Sequence, residues 1–412
     1  MARLTLTEKL AVLADAAKYD ASCASSGSEK RSSKGQTSGI GSITGSGICH
    51  SYAPDGRCIS LLKLLLTNHC VYDCLYCVNR VTSNVQRARF TPEEVVTITL
   101  DFYRRNLIEG LFLSSGIIQS PDYTMEQIVR VAQILREQHG FRGYIHLKTI
   151  PDAAPELLER AGLFADRLSI NVELPREDSL KRLAPQKEAG SIRRAMGGLR
   201  LRLEEAGEEK KKARHAPRFA PAGQSTQMIV GADDATDSDI VRTSTALYSG
   251  YKLKRVYYSA FSPIPGSSQA LPARTAPLMR EHRIYQADWL YRFYDFSVDD
   301  IVSATEGGML DLSIDPKLAW ALKHRERFPI DINTAPREAL LRVPGLGVKS
   351  VDKILRIRRF GALDLADIAK LTRSLKTLQP FIAARAWHPG ATLDSNRLAA
   401  VVRPAETQLS LL

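Results

Sequence analysis

The sequence is poor in cysteine, in acidic residues and in long apolar runs. Only six of its 412 residues are Cys, too few for the disulfide framework of a small secreted fold. All six, Cys23, Cys49, Cys58, Cys70, Cys74 and Cys77, fall in the first fifth of the chain. Such clustering without a disulfide pattern points to metal or redox chemistry. No apolar stretch approaches the roughly 18–20 residues of a membrane span; the greasiest, Ile59 to Leu66, is short and broken by Lys63. The opening MARLTLTEKL puts charges where a secretory leader needs its apolar core. A cytoplasmic protein without a membrane partner is expected. Asp and Glu number 45 against 57 Lys and Arg, a net charge of +12, which favours an anionic partner, nucleic acid first. The 44% hydrophobic and 25% charged content is ordinary for a globular chain. It excludes wholesale disorder, and the length calls for two or three domains.

Residues 1–20 read as an amphipathic helix with Leu4, Leu10, Val12, Leu13 and Ala17 on its apolar side. Residues 21–47 hold nine Ser and six Gly. That is too little apolar surface to offset ordering entropy, so a flexible loop is expected. From Cys58 to about Pro265, strands alternate with helices. The strands are ISLLKLLL, GLFLS, YIHLKTI, RLSINVEL, TQMIVGA and RVYYSAF; Thr91 caps a helix running to about Asn106, and Met125–His139 and Pro155–Ala161 supply two more. Alternation of this kind implies βα units and a mainly parallel sheet. The fold class expected is α/β, a partial (β/α)6 TIM-like barrel with a small all-α C-terminal domain. Between the fourth and fifth of these strands lies a basic region, Arg193, Arg194, Arg200, Arg202, Lys210, Lys211, Lys212 and Arg214. It reads either as a solvated helix end or as a nucleic-acid-facing insert. Residues 277–327 read as helical, with Trp289, Tyr291, Phe293 and Trp320 as core.

Directly after the first buried strand comes CVYDCLYC, a C-x3-C-x2-C loop made by Cys70, Cys74 and Cys77. Three thiolates on one loop can hold a cubane iron–sulfur cluster by three irons and leave the fourth open to a ligand. A zinc ion with His69 as fourth ligand is the competing reading. The end of a barrel strand is where barrel enzymes place their chemistry.

The loop resembles the signature of the radical S-adenosylmethionine (radical SAM) superfamily, with Tyr76 in its aromatic position. The resemblance implies a [4Fe–4S] cluster on Cys70, Cys74 and Cys77 and S-adenosylmethionine on the open iron. Reductive cleavage of that cofactor gives a 5′-deoxyadenosyl radical that abstracts a hydrogen atom. It also implies reduced flavodoxin or ferredoxin as electron donor. Where the family often carries Gly-Gly-Glu, this chain has Ser114-Ser115-Gly116, which leaves the methionyl amine to hydroxyls and backbone carbonyls. Asn171 and Glu173, two apart on SINVELP, share one strand face and resemble the family's ribose-side residues. For Glu173, a buried salt bridge is the plainer reading. The strand from Gln227 to Gly231 resembles the adenine-side strand, so Gly231 is a candidate cofactor contact. YYSAFSPIPG resembles the last strand and its turn. His146 and Lys148 share a face of the third strand. Cys23, Cys49 and Cys58 are candidates for an auxiliary metal site, with free structural thiols as the simpler alternative.

A second motif is PIDINTAPREALLRVPGLGVKSVDKILRIRR. Here Asn333-Thr334 is expected to cap a helix with Pro336 and Glu338 in its first turn, ending at Pro344. Gly345-Leu346-Gly347 is the turn, Leu346 the apolar pin, and a second helix runs from Val348 to about Arg359. Glycines let a phosphate approach the backbone, and a helix N-terminus presents N–H groups to it. From Lys323 to Arg359 there are ten Lys/Arg and four Asp/Glu. The segment resembles the helix–hairpin–helix DNA-binding motif, which grips phosphates without reading sequence; Gly345, Gly347 and Lys349 are its candidate contacts. A hairpin used only for packing is the alternative.

The pair of motifs resembles the DNA modification and repair radical SAM proteins. The expected organisation is a helix and Ser/Gly loop at 1–49, a radical SAM core at 50–270, a helical connector at 271–327, the hairpin domain at 328–385 and a tail at 386–412. The expected function is hydrogen abstraction from a DNA base or sugar. The rivals are a radical SAM enzyme acting on RNA and a non-catalytic iron–sulfur DNA sensor.

Overall fold

The computed structural model describes residues 4–17, 48–52, 58–213, 215–264, 266–372 and 375–402. Two units emerge, one of residues 1–234 with 246–276, the other of residues 235–245 with 277–412.

In the first unit, helix α1 (Leu6–Ala17) buries Leu13, Ala14, Ala16 and Ala17. A hairpin follows, β1 (Ile48–Tyr52) antiparallel to β2 (Cys58–Leu65). The pattern of the sequence did not announce β1. From β2 onward every neighbour is parallel: β3 (Gly110–Ser114), β4 (Tyr144–Lys148), β5 (Arg167–Ser169), β6 (Gln224–Val230) and β7 (Arg255–Ala260). Strand order follows chain order, which gives the six-stranded half-barrel expected. Helices α2 (Pro92–Arg104), α3 (Pro121–Gln133), α4 (Pro155–Phe164), α5 (Glu177–Leu183) and α6 (Ala189–Lys212) fill the connections, and α7 (Asp237–Tyr251), between β6 and β7 in the chain, is divided between the two units after Thr245. Thr91 caps α2, as its sequence predicts, and the cap is a reciprocal box with Glu94. Strand β3 is buried throughout, as a parallel strand covered on both faces must be. The fourth expected strand, RLSINVEL, is cut short. The regular strand ends at Ser169, and Glu173, at φ +66°, meets β6 again through an isolated parallel bridge to Met228.

The basic region is mostly α6, and most of its cations face acids, Lys210 and Lys212 being without an ion pair among the described residues. Arg193 pairs with Glu177, Arg194 with Glu188, Arg200 with Glu204, Arg202 with Glu159 and Glu209, and Lys211 with Glu208. This is a solvated, charge-compensated helix. Arg214 lies outside the described residues.

The second unit contains α8 (Leu278–Phe293), α9 (Val298–Ser303), α10 (Pro316–Lys323), α11 (Arg337–Arg342) and α12 (Val348–Ile357), followed by shorter helical turns. It also has a parallel pair, β8 (Ile330–Asp331) with β9 (Ile382–Ala383). Its core corrects the sequence reading. Trp289 is 52% exposed and Phe293 is exposed too, while Tyr291 is half-buried. Trp320 is fully buried, edge-on to Phe296 at 5.2 Å and Phe328 at 6.2 Å, and Phe328 meets Phe381 at 5.1 Å. The core turns to the α9–α10 side, and the missed Phe296 and Phe381 complete it. Among the described residues no helix is long and apolar enough to cross a membrane.

Candidate active site and hairpin

The cysteine loop joins β2 to α2 at the C-terminal edge of the sheet. It is held from within. The Arg87 guanidinium donates to the carbonyls of Asn79 and Ser83 at 2.9 Å, and also to those of Arg80 and Asn68. Asn68 closes the loop's base, donating to Gln86 O and accepting from Ala88 N–H, each at 2.7 Å. The loop is held from outside by Gly116, whose N–H donates to Thr67 O at 2.8 Å. A Cβ on Gly116 would lie 2.3 Å from His69 O and 3.3 Å from Cys70 Cβ. Only glycine allows this approach.

Three backbone donors point at sulfur. Tyr72 and Ile117 N–H donate to Cys70 Sγ, and Asn79 N–H to Cys77 Sγ, all at 3.4 Å. Cys74 is buried, and Cys70 and Cys77 are half-buried. Burial raises the thiol pKa of Cys74 against the opposing charge of Lys187, and burial, then Cys74, pushes Cys77 up to about 12. Burial thus disfavours bare thiolates here, and a cationic centre would offset that cost. Together with the aimed N–H groups, the donor set fits a cluster. Among the described residues, no group of three or more His, Cys, Asp or Glu is disposed to hold a single metal ion. His69, the fourth ligand of a zinc site in the sequence reading, is exposed.

A cavity of about 330 Å³ opens beside the loop. All three cysteines, Tyr76, Ser115, Gly116, Asn171 and Glu173 line it, so the structure brings together most of the residues singled out by sequence. Ser114 lies behind the lining. Its hydroxyl is buried without a hydrogen-bond partner among the described residues, and Ser115 Oγ donates to Gly116 O at 2.6 Å. Asn171 Nδ2 approaches Gln227 Oε1 at 3.4 Å. Asn171 and Glu173 reach the cavity, but not through strand alternation. Glu173 bridges instead to β6, donating its N–H to Gln227 O and accepting from Ile229 N–H. Gly231, just beyond β6 at φ +78°, is not among the lining residues. Lys148 lines the cavity; His146 is buried beneath, its Nε2 3.0 Å from Ser169 Oγ.

Sequence reasoning missed two cavity features. Lys187 forms an ion pair with Glu173, as the salt-bridge reading of Glu173 had it but with no partner named. Burial alone would depress the Lys187 ammonium; the Glu173 carboxylate, Tyr76 and Cys74 together outweigh burial and hold its pKa well above the ordinary value. Burial, then Glu173, raises the Tyr76 phenol. Tyr72 donates to Asp152 Oδ2 at 3.1 Å, and burial, then that carboxylate, pushes Tyr72 up to about 12. The partners sit 14 and 80 residues apart, beyond any local signal.

Of the remaining cysteines, Cys23 lies outside the described residues. For Cys49 and Cys58 only the backbone is described, with Cys49 opposite Leu61 and Cys58 opposite Tyr52.

In the second unit the hairpin is present with altered limits. Helix α11 begins at Arg337 with Pro336 as N-cap and ends at Arg342; α12 ends at Ile357. Asn333 does not cap α11. It clamps Leu363, donating to its carbonyl at 3.1 Å and accepting its N–H at 2.7 Å. Gly345 takes φ +83° and is exposed, Leu346 is buried as the pin, and Lys349 is exposed. Gly347 is the N-cap of α12, and the Tyr294 hydroxyl faces the Val348 N–H. Beneath the turn, Lys317 is buried and its Nζ donates to Leu346 O at 2.6 Å.

The Radical SAM superfamily model matches residues 64–244, the span that carries the cysteine loop and the strands β3 to β6. Over that span the chain is similar to the Radical SAM superfamily, a likeness that implies a [4Fe–4S] cluster and S-adenosylmethionine, with Cys70, Cys74 and Cys77 as the cluster's cysteines. No curated protein matches. Among solved structures, HydG, a maturase of the [FeFe]-hydrogenase, is 16% identical with a TM-score of 0.41, covering 54% of this chain and 47% of its own. HydG from Carboxydothermus hydrogenoformans is 14% identical at 0.42, covering 55% and 50%. Methylornithine synthase (PylB) is 16% identical at 0.41, covering 56% and 60%. The chain spans about half the length of the first of these.

Proposed function

We propose that this chain is a cytoplasmic radical SAM enzyme that modifies or repairs DNA by hydrogen abstraction. The reading rests on one combination: a three-thiol loop facing a cavity, and, on the same chain, a Gly345–Gly347 hairpin bearing exposed cations. When bound, cluster and S-adenosylmethionine supply, on receipt of one electron, a carbon radical able to take a hydrogen atom. Reduced flavodoxin or ferredoxin is the donor in this reading. The protein's part is to hold and shield. Cys70, Cys74 and Cys77 ligate; Ser115 and Gly116 offer oxygens to the methionyl amine, with Ser114 behind them. Asn171 and the Lys187-bound Glu173 face the ribose, and β6 up to Gly231 lies on the adenine side. Gly345, Gly347 and Lys349 hold DNA phosphates, without sequence preference. A stacked base cannot reach a buried radical, so the target nucleotide is extruded.

The test pairs binding with turnover. Duplex DNA should bind the wild type and should increase 5′-deoxyadenosine formation. Gly345→Val combined with Lys349→Glu should weaken binding at least tenfold and abolish the increase. Unchanged affinity in that variant rejects the hairpin contact, and structured RNA outcompeting duplex DNA rejects DNA as the substrate.

A further inference from the structure

Phe360 is 89% exposed, the most exposed large apolar side chain among the described residues. Leaving a Phe in water forgoes the gain of burying it, yet the turn carrying it is not loose. On one side, Arg358 Nη1 donates to Ala335 O at 2.7 Å and Ile332 O at 3.0 Å. On the other, Asn333 clamps Leu363 through both its backbone groups. Phe360 N–H closes the turn on Ile357 O at 3.0 Å. The segment is fastened at both ends, and the ring between them touches water.

The ring also ends a charged row. On α12, Val351 and Ile354 are buried against the unit. Lys349, Lys353 and Arg356 follow one another at helical spacings of four and three, sharing the opposite face, and all are exposed. Phe360 comes one turn after Arg356, beside exposed Arg359. None of these four cations makes an ion pair or hydrogen bond among the described residues. The neighbouring carboxylate, Asp352, is taken by Arg337 at 3.1 Å. A row of unpaired cations matches a phosphate backbone, and an aromatic face at its end matches a base plane. A stacked duplex hides its base faces, so the ring has a partner only where a base has left the stack.

We propose that Lys349, Lys353, Arg356 and Phe360 form one surface for DNA carrying an unstacked base, the cations on the phosphates and the Phe360 ring on the base. The inference rests on the DNA reading above and narrows it from any duplex to DNA with a displaced or unpaired nucleotide.

The experiment compares binding of the full chain to an intact duplex and to the same duplex with a single-nucleotide bulge, by fluorescence anisotropy at one fixed salt concentration. The wild type should prefer the bulged duplex by about tenfold, the size of one base–aromatic stack. Phe360→Ala should lose that preference, and Phe360→Trp should keep it; the exposure of the site means neither disturbs folding. Lys353→Glu with Arg356→Glu should weaken both DNAs together. A Phe360→Ala variant that retains the wild-type preference overturns the stacking surface and leaves the DNA reading standing. A wild type that binds neither DNA overturns both. Binding of a protein partner through Phe360, with no preference among DNAs, assigns the surface to protein and overturns the proposal.

Discussion

Lys187 and Glu173 form an ion pair inside the cavity that the three cysteines line. The carboxylate belongs to a residue held at φ +66°, a conformation that a non-glycine side chain adopts at a cost of about 1–3 kcal/mol. The pair, with the two backbone bonds from Glu173 to β6, fixes that corner of the wall. Removing one partner strands the other charge. Lys187→Met should destabilise the protein by about 2–3 kcal/mol, at or just below the range of about 3–5 kcal/mol for a broken buried pair because part of Lys187 reaches solvent. Lys187→Met with Glu173→Gln should recover part of that loss. Denaturant titration of the two variants checks it, and equal losses would place the effect in packing instead of charge.

Lys317 sets a pH dependence. Burial lowers its pKa from 10.5 to about 7, with Asp315 opposing. Between those values the unfolded chain holds a proton that the folded one lacks, so stability rises with pH across pH 7 to 10.5. Below about 7 both states are protonated and this slope vanishes. The full span is on the order of 3–5 kcal/mol. Lys317→Met should flatten the profile across that window, while freeing Leu346 O from its donor. Denaturation midpoints at intervals from pH 6.5 to 10 measure the slope; an unchanged slope in the variant assigns it to another group.

Much of this architecture is legible in sequence because its signals are local. Thr91 and Glu94 write their own cap, and the six strands announce themselves as apolar runs between helix starts. The cysteine loop carries its chemistry in its spacing. The failures occur where distant residues decide. Nothing near Glu173 names Lys187, and nothing near Asn333 names Leu363, so a clamp passed for a helix cap. Trp289 and Phe293 look like core by composition, but the face of α8 that is buried holds Ile284, Ala287 and Leu290.

Gly116 makes a sharper prediction about the site. Its missing Cβ is what admits His69 O and Cys70. Gly116→Ala should displace the cysteine loop and cut iron bound after anaerobic reconstitution by more than half, with the fold retained. Gly361→Ala, where a Cβ meets open space, should bind iron as the wild type does. Full iron content in Gly116→Ala would show that the loop does not depend on this contact.

The most direct measurement is 5′-deoxyadenosine formed by the anaerobically reconstituted, reduced protein supplied with S-adenosylmethionine, beside Cys74→Ala. The wild type should form it and the variant should not, with more formed when DNA is present. Cluster-loaded wild type that forms none, or Cys74→Ala that forms as much, would contradict the assignment of radical chemistry to this loop.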